Sequence, residues 1–473
     1  MVLSMTKGHT EKIVLVVPIS HTHYLVPPTG LGYLATALRQ SGFTDITILD
    51  CVKEGLSFNG LSERFRKLKP KIVGFQVFSY DFDSVVRSIG ILKKVCPETT
   101  ILIGGAHVSA TSMTVLEEIE EADYGFAGEG EIGLPMLAKH ILRDEIIPLE
   151  SIPGLIWRNG SSICNNERAG TEDLDSLGFQ AWDLMEPVSY NGSPQGGFYK
   201  RFPIAPISTT RGCPYLCTFC GSGVNMGHKL RFRSMEHVLD EMVMLYNDYG
   251  VREYHIIDDM FNFHKNRVFE FCKGIRDMNL DISYTFPNGL RLNQLDKEML
   301  QMMKDTGAYA FTVGIESGSQ RILDSMKKGL TLELIEEKIN LINSAGLEPN
   351  GFFIIGYPDE TIEDIKSTIR FAKKLKLRRA HFSNFLPLPG TEATRKLIEN
   401  KEIEKTDWGS LFYSKVSYTP KGITRRQLKR LQRRAFLEFH LRPQILFRML
   451  LEIKNINQLK MIIMRSIDYL FKK

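Results

Sequence analysis

Apolar and polar positions follow a regular pattern over the first third of the chain. Short apolar runs, each followed by a stretch with helical periodicity, occur at Ile13–Pro18, Ile46–Leu49, Ile72–Val77, Ile101–Gly105 and Tyr124–Ala127. The intervening amphipathic stretches are Leu31–Ser41, Leu61–Leu68, Phe82–Val95 and Ser112–Glu121. Continuous apolar strands joined by helices are typical of a parallel sheet that is covered on both faces. The pattern therefore predicts an α/β fold with an N-terminal doubly wound parallel sheet over residues 11–144.

A second series of strands and helices follows in the middle of the chain. Its strand candidates are Ile204–Thr209, Glu253–Ile257, Ser283–Pro287, Phe311–Ile315, Gly351–Ile355 and Ala380–Phe385. Its helical stretches are Met235–Asn247, Arg267–Met278, Lys297–Asp305, Leu332–Ala345 and Ile362–Leu375. These units are too few for a closed eight-stranded barrel, so we predict a partial (βα)6 barrel over residues 201–395. In both folds, binding and catalytic groups collect at the carboxyl ends of the strands.

The remaining segments lack this alternation. Residues 145–200 are rich in Gly, Pro, Asn and Ser, and they predict a linker with a small hairpin around Leu155–Ile163. Residues 396–473 predict a helical, basic C-terminal region, which Pro443 divides into at least two helices.

Composition adds information mainly at the C-terminal end. The 473-residue chain is 43% hydrophobic and 24% charged, as in ordinary globular proteins. It has no apolar run long enough to span a bilayer and no signal-peptide pattern, so we expect a cytoplasmic protein. The net charge of +5 is uneven, because the chain from Lys421 onward has 14 Lys and Arg against three acidic residues. This basic tail predicts a solvated helix pair, with peripheral membrane contact as a second interpretation; nucleic acid is not favoured, because aromatic residues are not interleaved as a stacking platform.

Three of the seven cysteines lie in one short segment. Cys213, Cys217 and Cys220 follow the first barrel strand with the spacing C-x3-C-x2-C. Thiolate-bound iron–sulfur clusters usually take four cysteines, so three would leave one iron open to another ligand. The alternative is a structural zinc site with His228 as a fourth ligand. The other four cysteines are scattered, which is typical of a reducing compartment.

This spacing at the end of a barrel strand, with an aromatic residue before the last cysteine, resembles the radical S-adenosylmethionine (SAM) superfamily. The resemblance implies a [4Fe–4S] cluster on the three cysteines, whose open iron binds SAM and whose electron cleaves it to a deoxyadenosyl radical. It also implies that Asp258 or Asp259 contacts SAM, at a place where many members have Gly-Gly-Glu. The other implied SAM contacts are Glu316, Ser317 and Gly221. The acidic residues also have ordinary interpretations, as helix caps or as charges favoured at a helix N-terminus.

The N-terminal sheet resembles the cobalamin-binding domains that are fused to radical SAM barrels, in the class that includes anaerobic magnesium-protoporphyrin cyclase and class B methyltransferases. This resemblance rests on Leu49–Asp50 and on three loops: Pro27–Ala35, Gly104–His107 and Gly128–Glu131. The implied cobalamin contacts are Pro28, Gly30, Leu31, Gly104, Gly105, Gly128 and Glu129. Many such domains ligate cobalt through the histidine of an Asp-x-His-x-x-Gly motif, which does not occur here. The histidines near the expected site, which lack that context, are His21, His23 and His107.

Together these resemblances imply a cobalamin-dependent radical SAM enzyme that methylates an unactivated carbon. Two alternatives stay open: radical oxidation, cyclisation or rearrangement without methyl transfer, and a zinc-stapled nucleic-acid-binding protein. Methylthiolation would ask for a second set of three cysteines, which the sequence lacks. The substrate classes that remain open are a small molecule, a lipid, a tetrapyrrole and a peptide, and the implied electron donor is a protein such as flavodoxin or ferredoxin.

Overall fold

The computed structural model describes most of the chain, namely residues 11–20, 22, 25–190, 198–404, 407–412, 415–454 and 456–471. The described residues divide into two units. The first contains the residues up to Thr22, Pro28–Glu172 and Ser176–Met185. The second contains Asp173–Asp175, the residues from Glu186 onward and the segment that ends at Pro27.

The first unit is built on a seven-stranded sheet. Its strands are β1 (Ile13–Val17), β2 (Ile46–Asp50), β3 (Ile72–Gln76), β4 (Thr100–Gly104), β5 (Tyr124–Phe126), β6 (Leu155–Asn159) and β7 (Ser162–Asn165). Its helices are α1 (Thr29–Gln40), α2 (Phe58–Leu68), α3 (Phe82–Val95), α4 (Ala106–Thr111), α5 (Thr114–Glu118), α6 (Gly133–Leu142) and α7 (Trp182–Met185). The strand order is β2-β1-β3-β4-β5-β6-β7, and the neighbours from β2 to β5 are parallel. This order confirms the predicted doubly wound sheet and places the flavodoxin-type ligand crevice at the carboxyl ends of β1 and β3.

The apolar strands of this sheet form its core. In β1, Ile13 and Leu15 are at most 1% exposed, and they pack in one cluster with Leu31 of α1 and Leu134 of α6. A strand buried on both faces needs apolar residues at consecutive positions, which is why the runs in the sequence are continuous rather than alternating. The burial therefore explains the sequence pattern directly.

Residues 145–200, predicted as a linker, contain structured elements of both units. The strand β6 pairs antiparallel with β5, and β7 pairs antiparallel with β6, so the expected hairpin extends the first sheet. Arg158 of β6 donates hydrogen bonds to the carbonyls of Ala122 (2.6 Å) and Leu116 (2.8 Å). No residue of β7 is buried, so this edge strand lacks the apolar pattern that would reveal it in the sequence.

The second unit is built on a six-stranded sheet with a separate two-stranded ribbon. Its strands are β8 (Ile204–Ile207), β9 (Thr210–Arg211), β10 (Arg231–Phe232), β11 (Glu253–Ile256), β12 (Ser283–Leu290), β13 (Ala308–Glu316), β14 (Glu348–Ile355) and β15 (Arg379–Asn384). Its helices before the C-terminal region are α8 (Ser222–Met226), α9 (Met235–Asp248), α10 (Lys265–Asp277), α11 (Lys297–Asp305), α12 (Gln320–Ser325), α13 (Leu332–Ser344), α14 (Ile362–Lys374) and α15 (Glu392–Glu399). The sheet runs in the order β8-β11-β12-β13-β14-β15 with every neighbour parallel. Parallel strands in sequence order with intervening helices confirm the predicted (βα)6 architecture.

Side-chain caps fix where many of these helices begin. Each cap accepts a hydrogen bond from the backbone N–H three residues further on, and the capping residues are Ser234, Asp296, Thr331, Thr361 and Thr391. The caps therefore limit how far each helix can extend back into the loop before it.

The C-terminal region contains three helices, α16 (Arg425–His440), α17 (Pro443–Leu451) and α18 (Ile456–Phe471). The amide of Gln432 in α16 donates to the carbonyl of Phe382 in β15 at 3.1 Å. The ring of Phe436 stacks on Tyr469 of α18, with 4.9 Å between the centroids. No helix in the described part of the chain has both the length and the apolar character that crossing a bilayer requires.

One buried ion pair lies beside the carboxyl end of β8. Arg233 and Glu241 are 3% and 0% exposed, and Nη1 of Arg233 lies 2.7 Å from Oε2 of Glu241. The same guanidinium donates to the carbonyl of Ser208 at 2.9 Å, and the Arg233 amide donates to that of Thr209 at 3.0 Å. The pair therefore ties α9 to the end of the strand that leads into the cysteines.

Removing one partner of this pair should destabilise the protein strongly. Arg233→Met leaves the Glu241 charge buried without compensation, and we expect the free energy of unfolding to fall by about 3–5 kcal/mol. The double variant with Glu241→Leu removes both charges and should recover most of that loss. The measurement is urea unfolding of the anaerobically purified protein, followed by circular dichroism.

The exposed pair Arg370–Glu363, at 61% and 65% exposure, provides the control. Arg370→Met should cost less than about 1 kcal/mol, because exposed ion pairs contribute little. Equal losses for Arg233→Met and Arg370→Met would contradict the assigned role of the buried pair.

Candidate active site at the cysteine loop

The cysteine loop follows β8 and is closed by the β9–β10 ribbon. Arg211 of β9 pairs with Arg231 of β10, so the intervening chain returns to its starting point. Gly212 between β9 and Cys213 has φ +90°, and a Cβ there would lie 2.3 Å from the carbonyl oxygen of Lys229. Only glycine fits this close approach, which explains the Arg-Gly-Cys sequence at the start of the loop.

The three thiols of this loop influence one another electrostatically. Burial raises the pKa of Cys213, and it raises the pKa of Cys220 to about 11, with further upward contributions from Cys217 and Cys213. Three soft sulfur donors on one loop fit an iron–sulfur cluster. Nδ1 of His228 lies 3.1 Å from the carbonyl oxygen of Cys213, so this nitrogen hydrogen-bonds the backbone rather than offering a lone pair to a metal.

Thr218, between the second and third cysteines, anchors the loop to the barrel. Its hydroxyl lies 2.7 Å from the phenol oxygen of Tyr357, which follows β14. Its amide donates to the carbonyl of Met326 at 3.1 Å, and its carbonyl accepts from the amide of Ala393 at 2.9 Å. Thr218 is 3% exposed, so three separate segments hold the loop from its buried side. Sequence reasoning missed Thr218 and Tyr357, since their contact spans 139 positions.

The adjacent carboxylates of Asp258 and Asp259 have different surroundings. Asp258 is 3% exposed and accepts hydrogen bonds from the amide of Thr209, at 2.6 Å, and from its hydroxyl. Burial raises its pKa to about 6. The carboxylate of Asp259 instead accepts from the hydroxyl of Ser222, which lies next to Gly221 just after the third cysteine. Of the two, Asp259 therefore lies beside the cysteine loop, whereas Asp258 binds the end of β8.

Glu316 and Ser317 end β13, and their side chains have separate partners. Glu316 has φ +68°, and its Oε1 accepts from Nζ of Lys328 at 2.7 Å. Lys328 Nζ also lies 5.9 Å from the ring centroid of Phe219 in the cysteine loop. Ser317 is fully buried, and its hydroxyl lies 3.2 Å from that of Thr368 in α14. The structure thus brings Glu316 to the cysteine loop through Lys328 and directs the Ser317 hydroxyl to α14.

Arg291, after β12, is a further residue at this loop. Its guanidinium lies 4.0 Å above the ring of Tyr215, between the first and second cysteines. Asn262 holds it in place, because the Asn262 amide donates to the Arg291 carbonyl at 2.9 Å and its oxygen accepts from the Arg291 amide at 3.1 Å. Strand ends β11, β12 and β13 therefore all contribute polar groups near the cysteines.

In the first unit, the residues that resemble a cobalamin site lie at the carboxyl edge of the sheet. Pro28 caps the start of α1, and a Cβ on Gly30 would meet nothing within 4 Å, so this turn opens onto free space. Leu31 is 4% exposed and packs in the core, so its side chain does not point to that space. Gly104 ends β4, and Gly105 has φ +108° with its Cβ position 3.0 Å from the carbonyl of Val77.

The third predicted loop and the central histidine complete this edge. The amide of Gly128, which precedes Glu129, donates to the hydroxyl of Ser109 at 2.9 Å. Nδ1 of His107 lies 2.9 Å from the Ser79 hydroxyl, and burial lowers the His107 pKa to about 4, which keeps the ring neutral. Burial raises the pKa of Asp81 to about 7, a residue that sequence reasoning did not single out. His21 and His23 lie outside the described residues.

Two family models match the chain, each within one of the units. The radical SAM superfamily model matches residues 207–372, and the B12 binding domain model matches residues 15–138. An uncharacterised methyltransferase of Pyrococcus horikoshii is 31% identical over 430 residues, which cover 90% of each chain. The chain belongs to the cobalamin-binding radical SAM family.

A second relative of this radical SAM protein is the cytidylyl-2-hydroxyethylphosphonate methyltransferase of Streptomyces wedmorensis, 29% identical over 420 residues and 78% of each chain. Among solved structures, the cobalamin-dependent SAM radical enzyme OxsB, with aqua-cobalamin and SAM bound, is similar at a TM-score of 0.75 and 16% identity. The likeness covers 98% of this chain and 72% of OxsB, so the shared fold includes both units.

Membership of this family establishes which cofactors the enzyme uses. This radical SAM enzyme uses a [4Fe–4S] cluster, SAM and cobalamin, and it requires an electron donor and a substrate. The zinc-stapled nucleic-acid-binding alternative is therefore set aside.

The hydrogen bond between Thr218 and Tyr357 should be measurable as a coupling free energy. Thr218→Val or Tyr357→Phe leaves a buried hydroxyl without this partner, and we expect each to lower the free energy of unfolding by about 1–3 kcal/mol. The double variant should lose less than the sum of the two, by about 1 kcal/mol, in urea unfolding under anaerobic conditions. Tyr418→Phe, whose hydroxyl bonds Glu402 instead, should add to Thr218→Val without coupling. Additive losses for Thr218 and Tyr357 would contradict the anchoring contact.

Proposed function

We propose that this radical SAM enzyme transfers a methyl group to a carbon atom of its substrate. One observation carries the proposal: the methyltransferase of Pyrococcus horikoshii aligns over 430 residues, more than either unit contains. The similarity to a methyltransferase therefore runs through both the cobalamin-type sheet and the barrel with the cysteine loop.

In this proposal, Cys213, Cys217 and Cys220 hold the cluster, and the cysteine loop forms one wall of the SAM site. When bound, the cluster supplies the electron for SAM cleavage and cobalamin supplies the methyl group that is transferred. The protein's own contribution is to position these groups and to exclude water from them. The buried anchoring of Thr218 supports the first part of that role, since it limits movement of the flanking cysteines.

Asp259 is our candidate for binding the ammonium group of SAM. Its carboxylate is next to the cysteine loop through Ser222, and a charge-assisted hydrogen bond to an ammonium group needs a carboxylate at such a place. Asp258 is the weaker candidate, because Thr209 already donates two hydrogen bonds to it. Gly221 supports this assignment by its position between Cys220 and Ser222.

Glu316 is our candidate for a second polar contact to SAM. Only its Oε1 has a hydrogen-bond donor among the described residues, which leaves Oε2 for a hydroxyl of the ribose. Lys328 fixes the orientation of that carboxylate and reduces the cost of burying it. For Ser317, its full burial supports a role in holding the β13 terminus rather than a direct contact.

For cobalamin, we propose that residues 11–144 form the binding domain and that its contacts come mainly from backbone. The residues concerned are Pro28, Gly30, Leu31, Gly104, Gly105, Gly128 and Glu129. Glycines at a sheet edge let a planar ring system approach the main chain closely. The neutral His107 ring, held by Ser79, lies at the same edge of the sheet. Residues 201–395 and 396–473 are proposed as the barrel and its helical extension.

The substrate class and the electron donor are the finer parts of the proposal. A small molecule, a lipid, a tetrapyrrole or a peptide fits the chemistry equally well, and flavodoxin or ferredoxin is the donor we favour. Labelling with SAM that carries a deuterated methyl group tests the reaction for any of these substrate classes. The anaerobic holoenzyme is incubated with this SAM, with dithionite as the electron source and with metabolite extracts, and products are compared by mass spectrometry.

We expect a product that contains the deuterated methyl group, together with deoxyadenosine and S-adenosylhomocysteine. Bound cobalamin should acquire the deuterated methyl group even when extract is left out. Deoxyadenosine formation without any labelled product or labelled cobalamin would overturn methyl transfer and support oxidation, cyclisation or rearrangement.

If the three loop cysteines hold the cluster, variants of these cysteines should bind less iron than variants of the other cysteines. Cys213→Ala, Cys217→Ala and Cys220→Ala should each lose most of the iron and sulfide after anaerobic reconstitution, because two thiolates rarely retain such a cluster. Cys164→Ala, in strand β7, is the matched control and should bind the wild-type amount. Unchanged iron in the three loop variants would contradict the assignment.

Substitutions of the two adjacent aspartates should affect SAM affinity and thermal stability differently. Asp259→Asn keeps the side-chain volume but removes the charge, so we expect SAM to bind at least about tenfold more weakly with little change in Tm. Asp258→Asn should lower Tm, since it weakens the acceptor of two buried hydrogen bonds, and should change SAM affinity less than about twofold. Equilibrium dialysis with the reconstituted protein gives the affinities. The reverse pattern would transfer the ammonium-binding role to Asp258.

A further inference from the structure

Two helices of the C-terminal region expose apolar side chains in unusual number. On α17 these are 42–70% exposed, and they are Leu446, Phe447, Leu450 and Leu451. On α18 they are 48–62% exposed, and they are Ile456, Ile463, Met464 and Ile467. Single exposed apolar residues are ordinary, but repeated ones on neighbouring elements mark an interaction surface.

The spacing of these residues places each set on one side of its helix. With about 100° of rotation per residue, the four residues of α17 fall within an arc of about 140°. The four residues of α18 fall within an arc of about 100° by the same geometry. We call these two arcs the apolar faces of α17 and α18.

The remaining sides of both helices pack against the protein. Ile445 of α17 is 6% exposed, and Met461 and Tyr469 of α18 are 6% and 8% exposed. The ring of Tyr469 stacks on Phe436 of α16. Both helices are therefore docked, and the apolar faces are the sides that remain outward.

Basic side chains accompany these faces. Those that are exposed are Arg448, Lys454 and Lys460. Glu452 is the acidic residue between Leu441 and Ile467, and it forms ion pairs with Arg378 and Arg379. The outward charge of this region is therefore positive.

Lys460 decides which kind of partner fits. By the same rotation it lies inside the arc of the α18 apolar face, between Ile467 and Met464. A second copy of the chain, packed face to face, would bury this ammonium and bring like charges together. At a bilayer surface, the lysine stem can lie along the acyl chains while its ammonium reaches the phosphates.

We propose that the apolar faces of α17 and α18 bind the surface of an anionic lipid bilayer. The apolar side chains enter the boundary between headgroups and acyl chains, and Arg448 and Lys460 contact the lipid phosphates. This inference does not rest on the proposed methyl transfer, because it uses only the outward side chains of these helices.

Vesicle flotation of the full-length holoenzyme tests this proposal. The probes are vesicles of phosphatidylcholine alone and vesicles of an equimolar mixture of phosphatidylglycerol and phosphatidylcholine. We expect flotation with the anionic vesicles, little with the neutral ones, and a decrease as salt is added. Absence of flotation with the anionic vesicles at low salt would overturn the proposal.

Paired variants distinguish binding through the apolar faces from nonspecific binding to vesicles. The double variant Phe447→Ser, Ile463→Ser should lower the partition coefficient at least about tenfold, whereas Ile398→Ser, at a comparable 52% exposure on α15, should leave it unchanged. Lys460→Glu should lower it at least about fivefold, and Lys94→Glu, with the same change in net charge, should not. Equal effects of surface and control variants would overturn the proposal.

Sedimentation velocity without lipid tests whether the apolar faces bind a second copy of the chain instead. We expect the holoenzyme and the double serine variant to have the same oligomeric state. If the holoenzyme is a dimer and the double variant Phe447→Ser, Ile463→Ser is a monomer, the lipid proposal is overturned. The apolar faces would then bind a second copy of the chain.

Discussion

The position of the cysteine loop depends on hydrogen bonds to segments outside the loop, because so short a loop has few contacts of its own. In this protein, those contacts are the hydrogen bond of Thr218 to Tyr357 and the backbone bonds of Thr218 to Met326 and Ala393. Gly212 permits the close approach of the loop to Lys229. The cysteines are thus positioned by the ends of several barrel elements, and the rest of the site is arranged around them.

Charge is distributed at this end of the barrel by the same principle. Each buried carboxylate has a donor that fixes it, as Thr209 does for Asp258 and Lys328 does for Glu316. Asp259 has only the hydroxyl of Ser222 among its described hydrogen bonds, which leaves acceptor capacity beside the cysteine loop. Buried charges without such partners would be costly, so these donors lower the cost of burying the carboxylates of Asp258 and Glu316.

The sequence pattern predicted the two sheets well because their strands are buried on both faces and so need consecutive apolar residues. It failed where the determining contact is distant or where burial is slight. The predicted helix Ser112–Glu121 is only the short α5 (Thr114–Glu118), and a separate helix, α4 (Ala106–Thr111), ends just before it, where Ser112 has φ +53°. The hairpin of β6 and β7 was expected but its pairing with β5 was not, and the position of the Ser317 hydroxyl depends on Thr368, 51 positions away.

The candidate site follows the same division. The three cysteines could be singled out as candidates from their spacing, whereas the different surroundings of Asp258 and Asp259 depend on the positions of Thr209 and Ser222. Electron paramagnetic resonance of the reduced protein, before and after SAM is added, tests the proposed cluster site most directly. We expect a [4Fe–4S] spectrum that changes on SAM binding, because in this proposal one iron has no protein ligand. A spectrum that SAM leaves unchanged at saturation, or a protein that binds no iron, would contradict it.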